Sequence, residues 1–249
     1  MFDFSGKNII VTGASSGIGE ALALFLLELN ANVVGVARNE EKLGIIKSKY
    51  NNFNYIIKDL AKNIDDNSKI LASVYEQFGG ISGLVLNAGV QETKPIVATN
   101  YEKTKDIFKL NYFANISLIS GVKKKFVAET GLSIVAISSI TSKLAIPGIA
   151  NYSASKSALE SLIRTTSVEY EKMNVRANSI SLGHVKTELL DNAKLGSHYL
   201  EKLSNVYTNG LIEFDSINST IGFLLSTGSK HINGSNIALD SGVSNKFLL

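Results

Sequence analysis

Apolar residues in this chain gather in seven short, nearly continuous runs: "NIIVTG" (8–13), "NVVGVA" (32–37), "NYIIK" (54–58), "GLVLNAG" (83–89), "SIVAIS" (133–138), "VRANSIS" (175–181) and "NIALD" (236–240). Between them, apolar positions recur every three or four residues over 17–30, 40–50, 67–78, 102–125, 152–173 and 215–226, which predicts helices. A strand without polar alternation has no solvated face, and parallel neighbours need crossovers that lay helices on the sheet. The pattern therefore predicts an α/β fold, a doubly wound parallel seven-stranded sheet with helices on both faces. No repeat, low-complexity linker or shift of composition divides the chain, so residues 1–249 are expected to form a single domain.

The strongest apolar run, "ALALFLLEL" (21–29), is too short to span a bilayer and is bracketed by Glu20 and Glu28; it reads as a buried helix, and no membrane partner is expected. The start, "MFDFSGKNII", carries an early acid and no basic segment leading into a long apolar one, so no secretory signal is expected. At 45% hydrophobic and 19% charged residues, the chain has material for a substantial core. The absence of cysteine removes disulfides and thiolate metal sites and accords with a cytoplasmic location. His184, His198 and His231 show no ligand spacing, and no metal is expected. A net charge of +3 is too small to argue for nucleic acid. The densest basic cluster, Lys123 to Lys125, has no interleaved aromatics and reads as a solvated helix end that complements the macrodipole.

Chemistry enters where the first strand runs into "TGASSGIGEALALFL" (12–26). Glycines at 13, 17 and 19, between a strand and an apolar helix, suit the phosphate-binding turn of a Rossmann-like dinucleotide fold. Gly13 permits the tight turn, Gly17 lets the backbone approach a pyrophosphate, and Gly19 lets the helix pack closely on the sheet, with N–H groups facing the anion. About 20 positions on, a residue at the end of the second strand meets the adenosine ribose, where an acid favours NAD and an arginine accommodates the 2′-phosphate of NADP. Here the residues are Ala37 and Arg38, so NADP(H) is favoured and NAD(H) is the alternative. Arg38 also reads as a surface cation beside Glu40 and Glu41, with Asn39 capping the next helix.

The spacing G-x-x-x-G-x-G resembles that of the short-chain dehydrogenase/reductase family, in its 3-oxoacyl reductase-like branch. The resemblance covers nearly the whole chain: "TGASSGIG" (12–19), "DL" (59–60), "NAG" (87–89), Asn111, "ISS" (137–139), "YSASK" (152–156) and "LGHVKT" (182–187). It implies cofactor contacts from Gly13, Ser15, Ser16, Gly17, Ile18, Gly19, Arg38, Asp59, Leu60, Asn87, Ala88 and Gly89, and later from Tyr152, Lys156, Gly183, Val185 and Thr187. Standing alone, Asp59 and "NAG" would read as turns that end strands.

Ser139 ends the fifth strand, and a parallel sheet places its ligands outside the carboxyl ends of its strands. Tyr152 opens the next helix with Lys156 one turn on. A cation so placed favours phenolate over phenol, so Lys156 is expected to depress the pKa of Tyr152 and make it a usable acid or base. Ser139 then stabilises the charge developing on the substrate oxygen. Strand alternation turns Ser138 to the other face, where it is expected to bond locally. The resemblance adds two roles: Lys156 bonds the nicotinamide ribose, and Asn111 joins a water-linked proton relay to that lysine.

These readings imply an NADPH-dependent oxidoreductase that reduces a ketone to a secondary alcohol. The alternative is an NAD(P)-dependent dehydrogenase oxidising a secondary alcohol of a sugar, polyol or similar metabolite. A non-catalytic NADP(H)-binding protein would be expected to have lost one of the four side chains Asn111, Ser139, Tyr152 and Lys156, and all are present. By resemblance the protein is a homotetramer or homodimer, with the helices at 102–125 and 152–173 at one interface and the C-terminal segment at another.

The match loosens at "LGHVKT", where Leu182 replaces a usual proline; a looser turn is expected there. His184 beside it reads as a polar substrate contact or as a loop residue. Residues 188–212 sit where the family carries a substrate cover, and Leu144, Ile146, Gln91 and His184 suggest a mixed pocket. Arg164 and Arg176 are the only arginines near the pocket edge, and neither stands clearly where a carrier protein would be held, so a 3-oxoacyl substrate stays open.

Overall fold

The computed structural model of the chain describes residues 2–186, 206–207 and 209–246. Its sheet has seven parallel strands in the order β3-β2-β1-β4-β5-β6-β7. The strands are β1 (Asn8–Thr12), β2 (Asn32–Ala37), β3 (Phe53–Ile57), β4 (Ile81–Leu86), β5 (Leu132–Ser139), β6 (Val175–Leu182) and β7 (Asn236–Leu239). Every residue of β1 and β5 is buried, as continuous apolar runs require. The chain winds outward from β1 to β3 and then returns to place β4 on the other side of β1. That reversal opens a crevice beyond the carboxyl ends of β1 and β4.

Alternate residues of one strand feed the two faces. Ile9 and Val11 join a core with Leu22 and Leu26 of α1 (Gly17–Glu28), Leu43 of α2 (Glu40–Lys49) and Ile217 and Ile221 of α7 (Phe214–Leu225). Ile10 joins the opposite core with Leu71 of α3 (Ile70–Phe78), Leu118 and Leu159. No helix among the described residues is long and apolar enough to cross a membrane.

The helix expected over 102–125 is three pieces: α4 (Tyr101–Phe108), a π-helical turn (Lys109–Phe113) and α5 (Ala114–Ser120). It stops at Gly121, which lies against the Ser68 backbone where a Cβ would clash. Lys123 to Lys125 therefore lie beyond the helix and do not end it. Lys124 Nζ donates to the Met173 carbonyl at 3.0 Å, while Lys123 and Lys125 stand 5.9 and 5.4 Å from the Phe126 ring centroid. The helix expected over 152–173 is α6 (Ala150–Glu169), followed by a separate 3-10 turn at Glu171–Met173 that ends on left-handed Asn174. Strand β4 ends at Leu86, so "NAG" is the turn beyond it.

Candidate active site

The glycine turn after β1 has the geometry its spacing demands. Gly13 and Gly17 adopt φ of +72° and +55°, and a Cβ at Gly17 would meet nothing within 4 Å, so that face of the backbone is open to an approaching group. At Gly19 a Cβ would run into the Gly13 carbonyl, which is the close packing of helix on sheet. Ser16 is the N-cap of α1 but makes no side-chain cap bond, which leaves the first-turn amides to an anion. Thr12 ties the turn to β4: its hydroxyl donates to Val85 O at 3.1 Å and accepts from Asn87 N and Ala88 N at 2.9 and 3.0 Å. Asn87 Nδ2 donates to Thr12 O at 2.9 Å.

From this turn a cavity of about 780 Å³ extends over the ends of β2 and β3, past Ser15, Arg38, Asp59 and Leu60 and back to Ala88 and Gly89. An adjoining hollow takes in Gly17, Ile18 and Asn87. Arg38 is exposed at the rim, and no ion pair with Glu40 or Glu41 occurs among the described residues. Asn39 caps α2 as expected, its side chain accepting from Lys42 N at 3.0 Å. Lys42 and Lys58 line the same cavity and add two cations near Arg38 that sequence reading passed over. Asp59 Oδ1 accepts from Ala61 N at 3.1 Å, and Leu60 is buried. The open glycine backbone, unspent helix amides and basic rim fit an adenine dinucleotide, with the cations suiting a phosphate on its ribose.

At the other end of the crevice, the structure brings Asn111, Ser139, Tyr152 and Lys156 together. A methyl group at Gly89 would stand 3.2 Å from Asn111 Oδ1 and 3.4 Å from Lys156 Nζ, so the cavity wall and this cluster meet at one glycine. Asn111 lies in the π-helical turn, a local widening that often marks functional sites. Its amide accepts from Val90 N at 2.8 Å and donates to Val90 O and Ser155 Oγ, both at 2.9 Å. Ser155 in turn donates to the Tyr152 carbonyl at 2.7 Å, so one serine links Asn111 to the helix end that carries Tyr152. Ser139 Oγ accepts from Thr141 Oγ1 and N at 3.0 and 3.3 Å.

The expected effect of Lys156 on Tyr152 is corrected by this geometry. Lys156 Nζ donates to Ile137 O at 2.8 Å and stands 5.7 Å from the Tyr152 ring centroid. Burial raises the Tyr152 pKa above the ordinary phenol value, and the neighbouring Ser139 hydroxyl only pulls against it. Burial also lowers Lys156 to about 8, with Glu160 opposing. Without cofactor, the tyrosine is therefore a neutral phenol and a proton donor. Ser138 does turn to the other face, but its partner is the distant Glu160 at 2.7 Å, not a local group.

The turn after β6 is tied rather than loose. With no proline, β6 continues through Leu182 in register with Ser139 and Leu239. Gly183 N donates to Leu239 O at 3.0 Å, and His184 N to the Tyr207 hydroxyl at 2.9 Å. His184 Nδ1 lies 3.1 Å from the same hydroxyl, and burial lowers its pKa, keeping the ring neutral. Val185 bridges Ile212 and packs on the core. Tyr207, from the expected cover, is 2% exposed and packs with Ile140 and Val243. Gln91 lines the cofactor cavity, Leu144 packs by Tyr207, and Ile146 is exposed. Arg176 bonds the carbonyls of Ile232 and Leu224 at 3.1 and 2.9 Å, a structural role. Thr187, most of the expected cover and His198 lie outside the described residues.

A family model described as short chain dehydrogenase matches residues 7–197. The chain is 30% identical over 246 residues to L-xylulose reductase of Caenorhabditis elegans, with 98% of each chain covered. It is 29% identical over 247 residues to a 3-oxoacyl-(acyl-carrier-protein) reductase of Rickettsia typhi, covering 98% of this chain and 99% of that one. It superposes with a TM-score of 0.88, at 25% identity and with 98% of each chain covered, on a gluconate 5-dehydrogenase from Burkholderia cenocepacia in complex with NADP and tartrate. The chain belongs to the short-chain dehydrogenase family and is an oxidoreductase acting on CH–OH or C=O groups.

Proposed function

We propose that this short-chain dehydrogenase is an NADPH-dependent reductase that converts a ketone to a secondary alcohol, with Tyr152 as proton donor. The observation that carries the reading is the half-buried Tyr152, held as a phenol beside Ser139 and Lys156, across Gly89 from a cavity whose far rim is basic. When bound, a reduced nicotinamide supplies the hydride. Ser139 donates a hydrogen bond to the carbonyl oxygen as negative charge builds on it. Tyr152 gives that oxygen its proton, and the ammonium of Lys156 then stabilises the phenolate left behind. Asn111 holds Val90 and Ser155 and passes protons between solvent and Lys156 through water. The reverse reaction uses the same groups.

Arg38, with Lys42 and Lys58 behind it, supports NADP(H) over NAD(H), as does the NADP in the gluconate 5-dehydrogenase complex. Relatives named for a ketose, an acyl chain and a sugar acid differ in substrate, so the class proposed is a ketone and the metabolite is left open. The apolar side chains of Tyr101, Phe113, Ile116 and Val168, exposed on α4 to α6, support a homo-oligomer built through those helices. A panel of ketones and alcohols, followed by nicotinamide absorbance with each cofactor, tests the reading: at least one ketone is reduced, and faster with NADPH.

A further inference from the structure

Glu160, one helical turn beyond Lys156 on α6, is 4% exposed and enters the chemistry above only through its charge, which opposes the lowering of the Lys156 pKa. Its Oε1 accepts from three hydroxyls, those of Ser138, Ser142 and Ser181, at 2.7, 2.6 and 2.8 Å, the last of which shares its proton with Asn236 Oδ1 at 3.0 Å. Three donors converging on one oxygen suit a carboxylate, which offers only lone pairs, and such charge-assisted bonds are the stronger kind. Packing alone does not call for an acid here. A leucine would fill the gap between helix and sheet without the desolvation of a charge. Among the described residues the other deeply buried carboxylate, Asp240, is explained locally by the amides of Gly242 and Ser244 at 2.9 and 2.8 Å. Glu160 instead reaches residues 18 to 22 positions away.

Each of its partners adjoins the site. Ser138 precedes Ser139 at the end of β5. Ser142 closes the 3-10 turn Ile140–Ser142, in which Thr141 bonds Ser139 Oγ. Ser181 precedes Leu182, the residue paired with Ser139 across β5 and β6. Ser157 of α6 adds a bond from its hydroxyl to Ser142 O at 2.8 Å. One side chain thus gathers two strand ends and a turn onto the helix that carries Tyr152 and Lys156.

We propose that Glu160 is a positioning residue, clamping the ends of β5 and β6 and the 140–142 turn to α6 so that Ser139 is held opposite Tyr152. The proposal rests on the reductase reading for its catalytic consequence. Reaction rates are steeply sensitive to such placement, and a shift of about 1 Å can lower them about 100-fold.

The test compares Glu160→Leu, Glu160→Gln and the double variant Ser138→Ala/Ser181→Ala with wild type on a ketone that the wild type reduces. In Glu160→Leu, kcat should fall about 10- to 100-fold, while KM for the ketone and Kd for NADPH stay within about twofold. Glu160→Gln keeps an acceptor oxygen and should recover part of the loss. The serine double variant leaves the acid in place and should lose kcat in the same way, which keeps the test open if Glu160→Leu does not fold. Amide hydrogen exchange at 138–142 and 181–183 should quicken in Glu160→Leu and in the serine variant, with little change elsewhere. An unaltered kcat, unaltered exchange at these amides, or a joint loss of kcat, KM and cofactor affinity without recovery in Glu160→Gln overturns the proposal. Exchange needs no substrate. A wild type that turns over nothing sinks the reductase reading, and exchange still decides whether Glu160 is the clamp.

Discussion

Lys156 Nζ lies 5.7 Å from the ring centroid of Tyr152 and gives its buried hydrogen bond, at 2.8 Å, to the carbonyl of Ile137 rather than to the phenol. The two groups share one site without a direct bond, and burial pushes them in opposite directions: Tyr152 is held protonated, and Lys156 is pulled down to about 8. In reduction the tyrosine must donate and the lysine must be cationic to receive the charge left behind. The kcat/KM for ketone reduction should therefore hold steady near neutral pH and fall as the pair loses a proton through about pH 8. A pH–rate profile checks this, and a flat profile to pH ~10 would count against it.

The same burial bears on stability. Lys156 is charged in the unfolded chain up to its ordinary 10.5 but only to about 8 when folded, so the folded state binds fewer protons between these values. Its charge destabilises the fold below pH 8, and that penalty is relieved as pH rises from about 8 to about 10.5. Lys156→Met should stabilise the cofactor-free protein by about 2 kcal/mol at neutral pH, after allowing for the lost bond to Ile137. Denaturant unfolding at several pH values measures it; the gain should vanish above pH ~10.5.

Arg38 makes no ion pair among the described residues and stands at the rim of the cofactor cavity, which Lys42 and Lys58 also line. Arg38→Asp should weaken NADPH binding about 10- to 100-fold and leave NADH binding equal or better, since an acid there meets ribose hydroxyls. Titration of protein fluorescence with each cofactor is the measurement. Equal losses for both would show that Arg38 does not read the 2′-phosphate.

Two glycine-to-alanine changes should move stability in opposite directions. At Gly19 a Cβ runs into the Gly13 carbonyl, so Gly19→Ala should destabilise by about 1–3 kcal/mol. At Gly44, inside α2, a Cβ meets nothing within 4 Å, and Gly44→Ala should stabilise by about 0.5–1 kcal/mol. Thermal unfolding of both variants separates tight packing at the phosphate turn from ordinary helix propensity.

Much of this was legible before any coordinates. Short β-branched apolar runs bounded by turn residues point to strands, and those of β1 and β5 are buried throughout; the glycine spacing after β1 already required one open turn and one close approach. The break at Lys109–Phe113 was not legible, because a π-helical turn has no periodic signature and the bonds that Asn111 makes from it to Val90 and Ser155 join separate segments. The raised pKa of Tyr152 is not legible for a similar reason: helical spacing shows the nearby cation but neither the desolvation of the phenol nor the Ile137 carbonyl that takes the lysine's bond. Glu160 reads in sequence as one more helical acid. Its three hydroxyl partners come from separate segments that only the fold assembles.

The most direct measurement of the central claim is NADPH consumption with a panel of ketones by wild type and Tyr152→Phe, alongside NADPH binding to each. Wild type should reduce at least one ketone. Tyr152→Phe should bind NADPH as tightly yet lose about 100-fold or more of the rate, as removal of a general acid predicts. Undiminished turnover in a folded Tyr152→Phe would contradict the account.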